Sequence, residues 1–342
     1  MKKIRFAVIG LGIGLLHLDA IAHQKNAEIV ALCDIDEDRV REKAEEYAVP
    51  FYCKDYGELV KHDNIDAVCI ATPDFLHKQM VIDFLEAGKH VLCEKPLALS
   101  SEDCKEIIEV AESGEAKLMV GQVCRLTPSF VYAKELLDAG VIGDLFFIES
   151  EYVHDYAHMG KCWRNDPQNP RHPFIGGGCH PVDLLRWIAG NPEEVYGLTN
   201  KKVLTDWPCD DSCIAVFKFA DNVMGKIFVS TGCKRNYSMR TVIYGTKGTV
   251  IADNTSSTVS LFQEKFEEVT GVFDRTMENI EMKLSIDINN HNIAGEIDEF
   301  CSVILGEKEL RLSGREGAAT VAVCEAVIAS AASGMPQKVT YL

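Results

Sequence analysis

Three groups of residues have the types and spacing to do chemistry. The first is Glu94-Lys95-Pro96 in "HVLCEKPLA", where an apolar strand pattern runs straight into two opposite charges and a proline. A lysine ammonium can donate to an oxygen that is becoming a carbonyl and share in removing its proton. The second is His180 in "FIGGGCHPVDLLRW". Pro181 favours the first helical position and restricts the residue before it, so His180 is expected at or beside a helix N-terminus. The positive end of that helix favours the neutral imidazole that a base needs. Asp183, in the same turn, is expected to cap the helix or orient the ring. The third group is the turn "GLGIGLLHL" with Gly10, Gly12, Ile13 and Gly14, followed by Asp34 at the end of the next strand. Missing side chains there let backbone N–H groups approach a pyrophosphate, and the acid is placed for ribose hydroxyls.

Each group has a plainer reading. Charges end strands, glycine turns make ordinary strand-to-helix corners, Asp34 could cap a helix near Asp36, and His180 could be a partly buried ring behind a glycine turn. The glycine spacing is G-x-G-x-G, with Leu15 at the usual place of the third glycine. Yet the turn follows a strand, opens a helix and precedes a strand ending in an acid, and that combination points to a dinucleotide. A carboxylate at Asp34 repels a 2′-phosphate, so NAD is expected over NADP; Arg39 is the one nearby residue that favours NADP.

The elements that must position these residues alternate over the first ~120 residues in the manner of a doubly wound parallel sheet. Strands are expected at "IRFAVIG", "EIVALCD", "FYC", "AVCIA", "HVLCE" and "KLMVG". Helices are expected at "EDRVREKAEEYA", "DFLHKQMVIDFLEAG" and "SSEDCKEIIEVAESG", the last capped by Ser100 or Ser101. Gly10, Asp34, Thr72, Glu94 and Gln122 then all fall at carboxyl ends of strands, where ligands bind in open parallel sheets. Lys95 lies on the same rim. After about residue 125 the pattern becomes a helix, the histidine helix, alternating strands such as "CIAVFKFA", "NVMGKIFVS" and "RTVIYG", and two closing helices. The expected domains are 1–122 for the nucleotide and 123–342 for substrate and oligomer contacts.

Composition narrows the partners. Net charge is −17, from 35 basic and 52 acidic residues, which opposes nucleic acid and anionic membranes. Thirteen cysteines are scattered without a C-x-x-C pair, so reduced thiols in a cytoplasm are expected, with no zinc ribbon. No signal peptide is read at "MKKIRFAVIG", and "GAATVAVCEAVIASAASG" reads as a packed helix.

The segments "AVIGLGIGLLHL", "VCIATPDFLH", "HVLCEKPLA", "VGQVCRLTPSF", "IGDL", "GGGCHPVDLLRW" and "IYGTKGTV" span nearly the whole chain in order. With them the sequence resembles the Gfo/Idh/MocA oxidoreductases, relatives of glucose–fructose oxidoreductase and inositol dehydrogenase. The resemblance implies an α/β fold, with an N-terminal Rossmann domain and a C-terminal α+β domain carrying a large, mostly antiparallel mixed open sheet. It implies reversible NAD(P)-linked oxidation of sugar or polyol hydroxyls. By it, Lys95 touches the reacting hydroxyl, His180 is the catalytic histidine, and Asp183 is the motif's second acid. Thr72, Pro73 and His77 belong to a cofactor-side motif, Glu94 neighbours the cofactor, and Arg125, with Pro128, is a substrate or cofactor contact. One position departs: many relatives carry an acid four residues before the histidine, where this chain has Gly176. Lys95 and His180 then suffice, or Asp155, His154 or His158 fills in.

The stretch "EYVHDYAHMGKCWRNDPQNPRHPF" holds His154, His158 and His172. The i, i+4 pair His154/His158 would suit a metal only on a helix, and the stretch reads as strand end and loop, so no metal is expected. Tyr156, Trp163 and Arg164, with Asp166 and Arg171, suit a carbohydrate, although a subunit contact or solvated lid would use similar residues. Three functions compete: a dehydrogenase of a sugar, polyol or glycoside, an NAD-dependent redox glycosidase that recycles its cofactor, and a non-enzymatic NAD-binding regulator. The last has no need of both Lys95 and His180. A broad sheet with one uncovered face further suggests a homodimer or homotetramer.

Overall fold

The computed structural model describes residues 3–264 and 279–342. The chain divides into two compact units, residues 1–123 with 292–325 and 340–342, and residues 124–291 with 326–339.

The first unit is built on six parallel strands: β1 (Ile4–Ile9), β2 (Ala27–Cys33), β3 (Phe51–Cys53), β4 (Ala67–Ile70), β5 (His90–Cys93) and β6 (Leu118–Val120). Their order is β3-β2-β1-β4-β5-β6, a doubly wound sheet whose direction of winding reverses between β1 and β4. Strands covered on both faces read as unbroken apolar runs, and Phe6, Val8, Leu32, Val68, Leu92 and Met119 are fully buried. The linking helices are α1 (Gly14–Ala22), α2 (Glu37–Glu46), α3 (Tyr56–Val60), α4 (His77–Glu86) and α5 (Ser101–Ser113). Ser100 caps α5 by accepting from the Asp103 N–H, and Asp36 caps α2 by accepting from the Arg39 N–H. Because Asp36 does the capping, Asp34 is released from that role.

The second unit begins with α6 (Pro128–Asp138), followed by β7 (Leu145–Val153), α7 (Pro173–Gly176) and α8 (Cys179–Ala189). Strands β8 (Glu194–Asn200), β9 (Ser212–Lys218), β10 (Met224–Ser230), β11 (Ser238–Gly245), β12 (Gly248–Asp253), β13 (Thr258–Glu264) and β14 (Asn279–Ser285) follow, with β15 (Gln337–Lys338) near the C-terminus. They form a nine-stranded sheet in the order β14-β13-β12-β11-β7-β10-β9-β8-β15. Only β7 and β10 pair in parallel; the other neighbours are antiparallel. The "ADN" and "GTKG" segments turn the chain between β9 and β10 and between β11 and β12. Strict alternation along β9 buries Cys213, Ala215 and Phe217 under the helices and leaves Ile214 and Val216 exposed.

The unit boundary differs from a single crossing near residue 122. The helix Ile293–Ile304 (α9) packs on α1, with Phe300 edge-to-face against Phe6 at 6.1 Å. The chain then lies along the β6 edge, where the Val120 N–H donates to the Leu312 carbonyl at 2.8 Å. Residues 292–325 thus cover apolar surface of the first unit that its own five helices leave bare. In the following helix, Gly314–Ser333 (α10), residues from 326 onward belong to the second unit, where the Ser330 hydroxyl accepts from the Gly197 N–H at 3.0 Å. Apart from its charged residues Arg315, Glu316 and Glu325, α10 is apolar and long; Val321, Val323, Cys324 and Val327 are buried in protein.

Candidate active site

Lys95 stands two residues after the end of β5, and its peptide bond to Pro96 is cis. Two neighbours hold this turn. His77, the first residue of α4, sets Nδ1 2.8 Å from the Pro96 carbonyl and Nε2 3.1 Å from the Thr72 carbonyl, tying the Thr72–Pro73 turn to the lysine turn. Burial pushes the His77 imidazole down, against the pull of these carbonyls and of Asp74. Glu94 turns its carboxylate inward: Oε2 accepts from the Lys95 N–H at 3.2 Å and Oε1 lies 2.9 Å from His17 Nε2. A Cβ at Gly121 would stand 3.2 Å from the Glu94 Cα, so that glycine lets the β6 end lie close against the Glu94 backbone. Burial raises the Glu94 carboxyl, but the His17 hydrogen bond and charge, with Lys95, outweigh it and bring it down to about 2.

At the β1 end, Gly10 takes φ +84°, with its Cα facing the Ala71 carbonyl so closely that a Cβ would collide. Asp34 Oδ2 accepts from the Leu11 N–H at 2.6 Å and Oδ1 from the Asp36 N–H at 2.9 Å, so one acid shapes both turns. The Arg39 guanidinium stands 3.6 Å from Asp34 and 3.2 Å from Asp36, held by two acids rather than facing outward alone. Gly12 has nothing within 4 Å of where a Cβ would stand, and Ile13 is exposed. Together with an α1 N-terminus that no side chain caps, this is an open cradle of backbone N–H groups, which fits the pyrophosphate of a dinucleotide. Gln122 is different: its amide N–H groups donate to Thr320 Oγ1 at 3.0 Å and the Glu316 carbonyl at 3.3 Å, so its side chain braces α10.

In the second unit His180 is the second residue of α8, after an N-cap at Gly178 that has no side-chain cap. It is buried, with Nδ1 3.3 Å from Cys124 Sγ and its ring stacked 6.1 Å from Tyr152. The three glycines before it each permit a close approach. A Cβ at Gly177 would strike the Tyr152 ring, one at Gly178 the Phe174 carbonyl, and one at Gly176 the Arg171 guanidinium. The position of the missing acid is therefore filled by a cation, whose Nη2 donates to the Gly176 carbonyl at 3.1 Å.

Asp183 does not cap α8. Its two oxygens accept from Arg125 Nε at 2.8 Å and Nη2 at 2.6 Å, with Arg186 at 3.7 Å. A carboxylate one turn into the helix pairs more strongly with a bidentate guanidinium than with distant N-terminal amides. Of the three residues expected to substitute for the acid, His154 joins the histidine cluster: its Nδ1 is 3.4 Å from the Tyr152 hydroxyl, which also meets Tyr156 at 3.0 Å. Asp155 instead faces Lys234 at 3.2 Å and His158 at 3.6 Å, and His172 caps α7 by accepting from the Phe174 N–H. Burial pushes His172 down to about 4, which keeps it a neutral acceptor.

Tyr156 is buried against Trp207 and His154. Trp163 receives the Arg164 guanidinium at 4.4 Å and that of Arg171 at 5.0 Å, and it lines an open hollow with Asn165, Asp166, Asp206 and Trp207. Tyr152, Tyr237 and His291 escaped the sequence reading: Tyr237 stacks on His291 at 5.9 Å, and His291 stands 5.8 Å from His180. Strand alternation could have marked Tyr152 as inward-facing, but nothing local marks His291. His17 and Glu296 were missed as well, though a histidine and an acid inside otherwise apolar helix faces are a readable signal.

A doubly wound sheet with a glycine turn, strand-end acid and strand-end lysine, in one chain with a mixed-sheet domain, defines a two-part enzyme of the Rossmann class. Residues 4–122 match the oxidoreductase-family NAD-binding Rossmann-fold domain, and residues 130–251 match the GFO/IDH/MocA C-terminal domain. The chain belongs to the Gfo/Idh/MocA family of oxidoreductases. It is 31% identical to a myo-inositol 2-dehydrogenase of Thermotoga maritima over 277 residues, 77% of this chain and 79% of the relative. It is 28% identical to an inositol 2-dehydrogenase of Rhizobium meliloti, over 96% of this chain and 97% of the relative. Among solved structures, a levoglucosan dehydrogenase in complex with NADH and L-sorbose superposes with a TM-score of 0.89 over 100% of both chains at 20% identity, a likeness of fold.

Proposed function

We propose that the protein is an NAD-dependent dehydrogenase of a polyol or cyclic sugar, moving a hydride from a hydroxyl-bearing carbon. The observation that carries this reading is Lys95 at the carboxyl edge of the parallel sheet, on the rim that also bears the Gly10–Gly14 cradle and Asp34. The names of the inositol and levoglucosan dehydrogenase relatives support the substrate class. The nicotinamide supplies the hydride acceptor when bound. Gly10, Gly12, Ile13 and Gly14 hold its pyrophosphate, Asp34 its ribose hydroxyls, and Thr72, Pro73 and His77 shape the turn on the cofactor side, with Gln122 bracing the last strand end. Lys95 donates to the reacting oxygen as it gains carbonyl character, and His180 takes the hydroxyl proton. Tyr156, Trp163 and Arg164 meet the sugar ring, and the Arg125–Asp183 pair holds the wall of the substrate unit.

The test is purified protein with NAD and a panel of polyols, free sugars and aryl glycosides, following NADH and aglycone together. NADH formed with a polyol or sugar supports the reading. Aglycone release without net NADH would replace it with the redox glycosidase, and silence across the panel would leave a cofactor-binding regulator.

Cofactor choice follows from Asp34, whose charge opposes a 2′-phosphate while Arg39 is engaged by two acids. Asp34→Ser is expected to narrow the preference for NAD over NADP by about 10- to 100-fold in kcat/KM, the scale of one removed like-charge contact. An unchanged ratio would show that Asp34 does not read the ribose.

The outward face of the mixed sheet supports a homo-oligomer. Leu198 faces Ile214 across β8/β9, Val216 faces Lys226 across β9/β10, and Leu198, Val216 and Met224 are 54%, 49% and 57% exposed. This strip is flanked by the ion pair of Lys226 and Glu149 at 2.6 Å. Sedimentation should show a dimer or tetramer that Val216→Glu weakens; a monomer at all concentrations contradicts it.

A further inference from the structure

Three ionisable groups lie in one line behind the lysine turn, all within the first unit. His17, on the inner face of α1, places Nε2 2.9 Å from Glu94 Oε1 and Nδ1 3.8 Å from Glu296 Oε2. Glu296, in the first turn of α9, is 0% exposed, and neither of its oxygens nor His17 Nδ1 has a hydrogen-bond partner. A wholly buried carboxyl without hydrogen bonds is costly, and α9 has ample room elsewhere for a charge: Asp298 and Glu299 on the same helix face Lys308 and Arg311. Among the described residues no such cluster is arranged to hold a metal.

We infer that Glu296, His17 and Glu94 form a buried proton-holding array, and that Glu296 and His17 are positioning residues that act through Glu94 on Lys95. The array ends on the lysine turn, because Glu94 Oε2 accepts the Lys95 N–H. The Lys95 charge in turn pulls on both carboxyls. The groups facing Glu296 are His17 on α1, Glu94 and Lys95 after β5, and the buried Cys69 thiol on β4.

Burial raises the Glu296 carboxyl to about 8, helped by Glu94 and opposed by His17 and Lys95. Burial pulls His17 down, but the Glu94 hydrogen bond and the charges of both acids raise it overall. At neutral pH the array therefore carries an ionised Glu94 and a neutral Glu296, with a His17 between them whose imidazolium form Glu94 favours. Above about pH 8 Glu296 loses its proton to solvent, and one more negative charge appears behind Lys95. That charge draws the ammonium toward the array and away from a substrate oxygen.

The inference rests on the dehydrogenase reading for its kinetic arm alone, so the test has two arms on wild type, Glu296→Gln and Glu296→Asp. In the first, reductive methylation of Lys95 is followed by mass spectrometry from pH 6 to 10. The Glu296→Gln to wild-type labelling ratio is expected to rise about tenfold above pH 8, the effect of one nearby charge, and Glu296→Asp to follow wild type. In the second, kcat for polyol oxidation in wild type should show a fall with a midpoint near 8 that Glu296→Gln lacks, KM staying level. A flat labelling ratio overturns the inference whether or not a substrate is found. A normal labelling step with no turnover on any substrate overturns the dehydrogenase reading and leaves the array standing. If Glu296→Gln fails to fold, His17→Gln, which breaks the line at its centre, must remove the labelling step; its persistence overturns the inference.

Discussion

Lys95→Ala is expected to lower kcat for polyol oxidation by about 10²- to 10⁴-fold, the usual worth of a positioned proton-transfer group. NADH binding, read by fluorescence quenching, should remain within a few-fold of wild type, because the cradle at Gly10–Gly14 and the acid at Asp34 are built from other strands. Lys95→Arg separates the two parts of the role. A guanidinium keeps the charge and the donor but does not give up its proton at working pH, so a loss comparable to alanine assigns Lys95 to proton transfer. A substantial recovery assigns it to electrostatic support of the developing carbonyl. Activity of Lys95→Ala within about tenfold of wild type would remove the lysine from the chemistry.

Asp183→Ala is expected to destabilise the protein by about 3–5 kcal/mol, the cost of leaving a buried cation without its partner. The Arg125 and Asp183 side chains are only 9% and 2% exposed, so solvent cannot take over the lost interaction. Urea unfolding would read the change as a lower midpoint at unchanged slope. The double substitution Arg125→Met with Asp183→Leu should recover most of the loss, since replacing both charges by apolar groups avoids an unpaired one. If Asp183→Ala is instead nearly as stable as wild type but slow in catalysis, the pair contacts substrate rather than supporting the wall.

Much of the positioning machinery was legible in the chain before folding was considered. Six apolar runs separated by amphipathic helices determine a parallel sheet, because each run must be covered on both faces. Where those runs end, Gly10, Asp34, Thr72, Glu94 and Lys95 are placed on one rim by strand direction alone. The local stop signals were equally readable: Ser100 caps α5 as its residue type predicts.

The partners of those residues were decided only in three dimensions. Asp183 was three positions from His180 in sequence, yet a guanidinium fifty-eight residues away in the chain claims both its oxygens. Gly176 looked like a lost acid, and the fold fills that space with Arg171 from the preceding loop. Residues 292–325 return to the first unit because α1 and the β6 edge offer apolar surface there, which no local pattern records. The same return carries Glu296 against His17 and turns two unremarked residues into one buried array with Glu94. Sequence determined which atoms could do chemistry and the strand ends that present them, since periodicity and chain direction are local. Burial and pairing, which set the charge those atoms carry, are long-range properties, and tertiary packing alone decided them.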